Sequence, residues 1–115
     1  MKYVIESGQR LDGCQPGDEI IVNDGGEAIH CYSATITVNK GGRVRYCYLA
    51  TITVNCGGEV RGCNYAVITV NGGAARYCDN AVIIVNDDGT ALDCNYSAIT
   101  INDDGATRDC YLTTI

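Results

Sequence analysis

The sequence predicts an all-β chain, a single-domain parallel β-solenoid of about seven 16-residue coils over residues 1–115. Three observations predict it: an internal repeat, a period-2 alternation inside each repeat, and an apolar complement with no large ring to fill a wide core. Asn recurs at 23, 39, 55, 71, 86 and 102, and Cys at 14, 31, 47, 63, 78, 94 and 110. The two series interlock, each Asn being followed eight residues later by a Cys except at Asn71–Cys78, where one residue is missing. Fixed-period self-similarity of this kind marks a stacked repeat architecture. Coils start near residues 6, 23, 39, 55, 71, 86 and 102, with Glu6 standing in the first Asn slot and an extra residue in the segment Gln15-Pro16-Gly17-Asp18-Glu19.

Within each unit the strand signal is explicit. Ala34, Ile36 and Val38 alternate with Thr35 and Thr37, and Ala50, Ile52 and Val54 alternate with Thr51 and Thr53. Ala66-Ile68-Val70 and Ala81-Ile83-Val85 repeat the pattern. Alternation of β-branched residues with period 2 reads as half-buried strand, and no window carries helical spacing. Gly-Gly pairs at 25–26, 41–42, 57–58 and 72–73 supply turns where φ > 0 is needed, and Asp87-Asp88-Gly89 and Asp103-Asp104-Gly105 replace them as equivalent turn chemistry.

A unit of this length extends over roughly 50 Å at about 3.3 Å per residue, enough for one coil of short strands and corners. A crossover helix would by itself need a dozen or more residues. Seven coils stacked at about 4.8 Å make a rod roughly 30–35 Å long, and the crossover rule favours a right-handed coil. The inward columns are the Cys series, the Ala, Ile and Val series, and the column Leu11, Ala28, Val44, Val60, Ala75, Ala91 and Thr107. They are narrow, which matches a chain with no Phe and no Trp.

Composition narrows the function classes. A net charge of −6 argues against a nucleic-acid footprint and against anionic membrane surfaces. No apolar run approaches the roughly 20 residues that span a bilayer, so no membrane insertion is expected. The opening MKYVIESGQR lacks the apolar stretch of a secretory signal. P-loop, G-x-S-x-G and H-E-x-x-H motifs are missing, and the lone His30 has no nucleophile partner, so the expectation is a non-enzymatic protein without cofactor.

The segment Ile5-Glu6-Ser7-Gly8-Gln9, then Gly17-Asp18, then Ile21-Val22-Asn23-Asp24-Gly25-Gly26-Glu27-Ala28, resembles the stalk repeats of AIDA-type autotransporter adhesins. Thr35-Ile36-Thr37-Val38-Asn39-Lys40-Gly41-Gly42 and its later copies extend the likeness over most of the chain. The resemblance implies a right-handed β-helical stalk at a bacterial surface or secreted, active in adhesion or self-association. Its partners would be copies of itself, end to end or side by side, or cell-surface ligands.

Individual residues carry further expectations. Cys14, Cys31, Cys47, Cys63, Cys78, Cys94 and Cys110 form an inward ladder. Neighbouring Cα atoms in it are about 4.8 Å apart, but their Cβ vectors run parallel, which favours reduced buried thiols over inter-coil disulfides. A straight row also does not offer the tetrahedron that zinc wants. Cys56, in the turn after Asn55, is the one exposed, reactive thiol. Asn23, Asn39, Asn55, Asn71, Asn86 and Asn102 form a corner ladder of amide hydrogen bonds. Asn95-Tyr96-Ser97 matches a glycosylation acceptor once. Asp87-Asp88 and Asp103-Asp104 stack one coil apart and read as solvated turn charge ahead of a Ca²⁺ site. Thr35, Thr37, Thr51, Thr53 and Thr69 point outward as a flat hydroxyl array resembling that of β-solenoid ice-binding proteins, which gives the alternative function of a flat-surface or ice binder. The Tyr residues at 32, 46, 48, 65, 77, 96 and 111 flank the Cys slots as a candidate contact stripe. Finally, Tyr3-Val4-Ile5 and the strand ending at Ile115 read as open edges suited to end-to-end stacking.

Overall fold

A computed structural model describes residues 1–102 and 104–110. Tyr111, the strand expected to end at Ile115, and Asp103 lie outside the described residues. The chain runs as alternating strands: β1 (Lys2–Ile5), β2 (Arg10–Asp12), β3 (Glu19–Val22), β4 (Glu27–Ile29), β5 (Thr35–Val38), β6 (Arg43–Arg45), β7 (Thr51–Val54), β8 (Glu59–Arg61), β9 (Val67–Asn71), β10 (Ala74–Arg76), β11 (Val82–Asn86), β12 (Thr90–Leu92), β13 (Ala98–Ile101) and β14 (Ala106–Arg108). Odd-numbered strands form one seven-stranded sheet and even-numbered strands a second. All pairings are parallel and join each coil to the next, so the fold is a β-solenoid of about seven coils with its rod axis across the strands. Its principal extents are 34 × 23 × 17 Å, the longest agreeing with seven coils at the inter-strand spacing. Among the described residues no helix is long and apolar enough to cross a membrane.

The register aligns like with like. Ile20, Ile36, Ile52, Ile68, Ile83 and Ile99 follow one another strand by strand, as do Val22, Val38, Val54, Val70 and Val85. These side chains are almost wholly buried, and from the other sheet Ala28, Val44, Val60, Ala75 and Ala91 meet them. Ile and Val on one sheet pack in one core with Ala and Val on the other, which keeps the core thin. Leu11 and Thr107, in the outermost coils of that column, are only half-buried. A one-residue slip would turn every Ile and Val to solvent, so the alternation specifies the register strongly.

The Gly-Gly pairs supply positive φ as expected, and they do so through the first member: Gly25, Gly41, Gly57 and Gly72 have φ near +80°. The second is required by close approach. A Cβ on Gly26 would stand 2.7 Å from the Ile5 carbonyl oxygen, and one on Gly42 2.7 Å from that of Val22. The acidic turn, expected to be equivalent, differs: Asp87 and Asp88 both have positive φ, at 51° and 65°. The extra residue at Gln15–Asp18 is absorbed by a turn with Pro16 and Gly17 at its centre, Gly17 at φ 86°, closed by the Asp18 N–H donating to the Gln15 carbonyl at 3.1 Å.

Candidate functional site: two corners and two faces

Each coil turns twice, once at Asn and once at Cys. At the Asn corner the amides form a ladder. Asn39 Nδ2 donates to Asn23 Oδ1 at 2.8 Å, Asn55 to Asn39 at 2.9 Å, Asn86 to Asn71 at 3.0 Å and Asn102 to Asn86 at 2.9 Å. Glu6 completes it at the first coil, accepting from Asn23 Nδ2 at 2.6 Å. Among the described residues no such bond joins Asn71 to Asn55, where the following turn is one residue shorter. Cys56 sits exposed in that same region, its Cβ close to Gly72.

The Cys corner is tighter and buried. Cys31, Cys47, Cys63, Cys78 and Cys94 have no exposed surface, Cys14 and Cys110 in the end coils are half-buried, and all eight cysteines are thiols. Each thiol works as a corner group. Cys63 Sγ donates to the Arg61 carbonyl at 3.5 Å and accepts the Cys47 N–H at 3.3 Å, and Cys47 Sγ accepts the Cys31 N–H at 3.2 Å. Cys63 is held above the ordinary thiol range, first by its hydrogen bonds with Cys47 and Cys78 and then by burial. Cys31 and Cys94 are raised for the same two reasons, by Cys47 and Cys78 respectively and by burial, and at Cys14 burial leads. Cys47 and Cys78 are lowered, each by the hydrogen bonds of its two neighbours in the row, Cys31 and Cys63 for the first and Cys63 and Cys94 for the second, so the shifts alternate in direction from coil to coil.

Flanking Cys on both sides, non-glycine residues adopt the left-handed conformation: His30, Tyr46, Tyr77 and Asp93 before it, and Ser33, Leu49, Tyr65, Asn80 and Tyr96 two places after it. That conformation costs roughly 1–2 kcal/mol per ordinary residue. The cost is offset because it aims each amide along the rod axis: Tyr46 N–H reaches the Arg61 carbonyl at 3.0 Å and Leu49 N–H the Asn64 carbonyl at 3.2 Å. Sequence reasoning missed this, although Asn80, Asp93 and Gly62, types that accept positive φ, stand in the same slots as the available signal. In the alanine column three residues after Cys, inward as expected, it missed the polar members. Ala34, Ala50, Ala66 and Ala81 lead in it to buried Ser97, whose hydroxyl accepts the Ala81 N–H at 3.2 Å and lies 3.1 Å from the Asn95 and Cys78 carbonyls. Asp18 occupies the same column in the second coil. It binds the Gln15 N–H and the Met1 ammonium, each at 3.0 Å, which together hold its carboxyl below the ordinary 3.8. The spacing from Cys was the available signal.

The tyrosines cluster on the Cys corner. Tyr32 stacks on Tyr48 with centroids 5.4 Å apart, and His30 stacks on Tyr46 at 5.9 Å while its Nδ1 lies 2.9 Å from Asp12. Tyr65, Tyr77 and Tyr96 are exposed beside them.

The two outer faces differ in chemistry. On the odd-strand sheet the outward slots hold Thr35 and Thr51, exposed, then Thr37, Thr53 and Thr69, half-buried. These threonines are in register, Thr35 opposite Thr51 and Thr37, Thr53 and Thr69 in line. Beyond them the slots become Val67, Val82 and Ile84, so the hydroxyl array covers three coils. Its charged pair, Lys2 and Glu19, sits at the first two coils with 3.6 Å between Nζ and Oε1.

The even-strand sheet carries all six arginines of the chain: Arg10, Arg43, Arg45, Arg61, Arg76 and Arg108 lie in β2, β6, β8, β10 and β14. Two glutamates bind four of them. Glu27 takes Arg45 Nη2 at 2.8 Å and Arg10 at 3.5 Å, and Glu59 takes Arg61 at 2.8 Å and Arg76 at 3.6 Å. Arg43 has no ion pair among the described residues and is exposed beside a shallow groove of about 460 Å³ lined by Gly41, Gly57, Arg45 and Arg61. The net acidity of the chain had concealed this basic strip, whose signal was Arg in the outward slots beside Val44, Val60 and Ala75. No family model, no curated protein and no solved structure matches the chain.

Proposed function

We propose that the chain is a non-enzymatic structural module, a stiff β-solenoid rod that serves as an adhesive or stalk segment and associates with copies of itself. The observation that supports this reading is the continuity of its sheets. Two in-register sheets tie each coil to the next, and the Asn amides on either side of the Asn55–Asn71 step and the Cys thiols add to them, so the rod resists bending and presents side chains in fixed rows. Such rows suit display and contact more than turnover, and the exposed tyrosines beside the Cys corner combine apolar area with polar tips as contact surfaces do. Surface display of the chain on a non-adherent bacterium tests it. Cells carrying the rod should clump or attach more than cells carrying an empty display anchor, and equal behaviour would remove the adhesive role. The in-register threonines favour a second reading, binding of ice or another flat surface. Thermal hysteresis lost on Thr51→Val and Thr53→Val would support it, and no hysteresis from the unaltered chain would end it.

A further inference from the structure

We propose that the even-strand sheet is a self-pairing face: two copies lie antiparallel across it, the arginine coil β6 of each against the acid-margined coil β12 of the other. This rests on the self-association just proposed and names its surface. Charge is partitioned along the rod. Residues 1–78 contain seven cations and seven anions, whereas residues 79–115 contain one cation, Arg108, and seven aspartates, so the whole net charge of −6 belongs to the last coils.

On the even-strand sheet this partition is a pattern. β6, β8 and β10 present Arg43, Arg45, Arg61 and Arg76, with Glu59 balancing only part of their charge. Toward the other end β12 presents Thr90 and Leu92, bracketed by Asp87 and Asp88 at the Asn corner and by Asp93 at the Cys corner. β14, which presents Ala106 and Arg108, is bracketed in the same way by Asp104 and Asp109. On β12 the uncharged side chains between acidic margins form a bed for the arginines of a second copy.

A two-fold axis parallel to the strands brings these two kinds of coil together. It reverses the rod direction while leaving Asn corner over Asn corner and Cys corner over Cys corner. With a stagger of one coil, about 4.8 Å, β6 of one copy lies over β12 of the other, and at the centre β8 lies over β10, where the Glu59 of each copy offsets part of the charge of Arg61 and Arg76. Arg43, beside the Asn corner, then meets Asp87 and Asp88 of the second copy, and Arg45, beside the Cys corner, meets its Asp93. The contact is isologous, each pair occurring twice, so it closes as a dimer. A face of 34 by 23 Å is of the order of the roughly 800 Å² that each partner contributes to a standard interface. The odd-strand sheet, with only Lys2 and Glu19 charged in its outward slots, has no such complement.

The test is sedimentation velocity of the full chain, with reductant to exclude a Cys56 cross-link. A dimer is expected at low salt, weakened at high salt as exposed ion pairs are screened. Arg43→Glu, at a side chain without an ion pair among the described residues, should weaken the dimer about tenfold or more through like-charge contact, with the circular dichroism spectrum unchanged. Asp88→Lys should do the same, and the two together should restore the dimer. Association that persists in high salt and in Arg43→Glu would overturn this face while leaving self-association standing. A monomer under all conditions would overturn both. A monomer that a sulfated-polysaccharide column retains through Arg43 would assign the face to an external polyanion instead.

Discussion

The Asn corner and the Cys corner turn the same chain through the same kind of bend by opposite means. At the Asn corner glycine supplies the positive φ in most turns, Asp87 and Asp88 in one, and among the described residues the ladder side chains, partly in water, bond to one another. At the Cys corner ordinary residues are forced to positive φ, and the side chain at the apex is buried and bonded to backbone on two coils. Where glycine supplies the bend, the coil can approach its neighbour until no Cβ fits. Where it does not, hydrogen bonds along the rod must offset the strain.

The same substitution in the two corners should separate these means most widely. Gly42→Ala places a methyl 2.7 Å from the Val22 carbonyl oxygen, backbone that can move only with the neighbouring coil. A loss of about 2–3 kcal/mol is expected in urea unfolding. Gly62→Ala at the Cys corner meets the exposed Tyr46 ring at 2.9 Å, which can swing away, and should cost only the left-handed conformation, roughly 1–2 kcal/mol. Equal costs would mean that close approach does not distinguish the corners.

Removing the apex group comes next. Cys63→Ala should cost about 1–2 kcal/mol, from the void and the unpaired Cys47 N–H, whereas Cys56→Ala should lie within about 0.5 kcal/mol of the parent. A thiol reagent on the native chain should modify Cys56 first, the half-buried Cys14 and Cys110 more slowly and the five fully buried thiols only on unfolding. Rapid modification of Cys47, Cys63 and Cys78 in the folded chain would contradict a sealed corner. At the Asn corner, Asn55→Ala should cost about 1 kcal/mol, the ordinary value of one hydrogen bond, because its ladder touches water.

A gain is expected where the Cys corner carries strain without burial. Leu49, 63% exposed at φ 61°, should yield roughly 0.5–1 kcal/mol on Leu49→Asn, the residue type that Asn80 already supplies in the same slot. A thermal midpoint that fell would show the leucine to be in a contact worth more than the strain. The smallest effect is electrostatic. Because the folded carboxyl of Asp18 titrates below 3.8, its contribution is complete at neutral pH and is lost as the pH falls through that lower value. Melting curves taken downward from pH 5 should show this acid-side loss, and Asp18→Asn should flatten it.

The period, the strand alternation and the inward Ile, Val, Ala and Cys columns were legible in the residues themselves, because a side chain's face is set by local parity. So was the Asn ladder, because identical residues at a fixed period must stack once the coils do. The division of labour within Gly-Gly was not, since one glycine answers to its own φ and the other to a carbonyl a coil away, and both read as the same letter.

By itself the sequence therefore determined a parallel β-solenoid, its register and which residues form its rows, for these follow from a repeat whose members pair with their own images. Only the tertiary structure decided that Tyr46 and Leu49 take left-handed backbone, that Ser97 and Asp18 serve the alanine column, and that six arginines of an acidic chain share one face. Those outcomes depend on which groups neighbouring coils bring within hydrogen-bonding distance and on which sheet each strand joins, and distances between coils are not written in the order of residues along one of them.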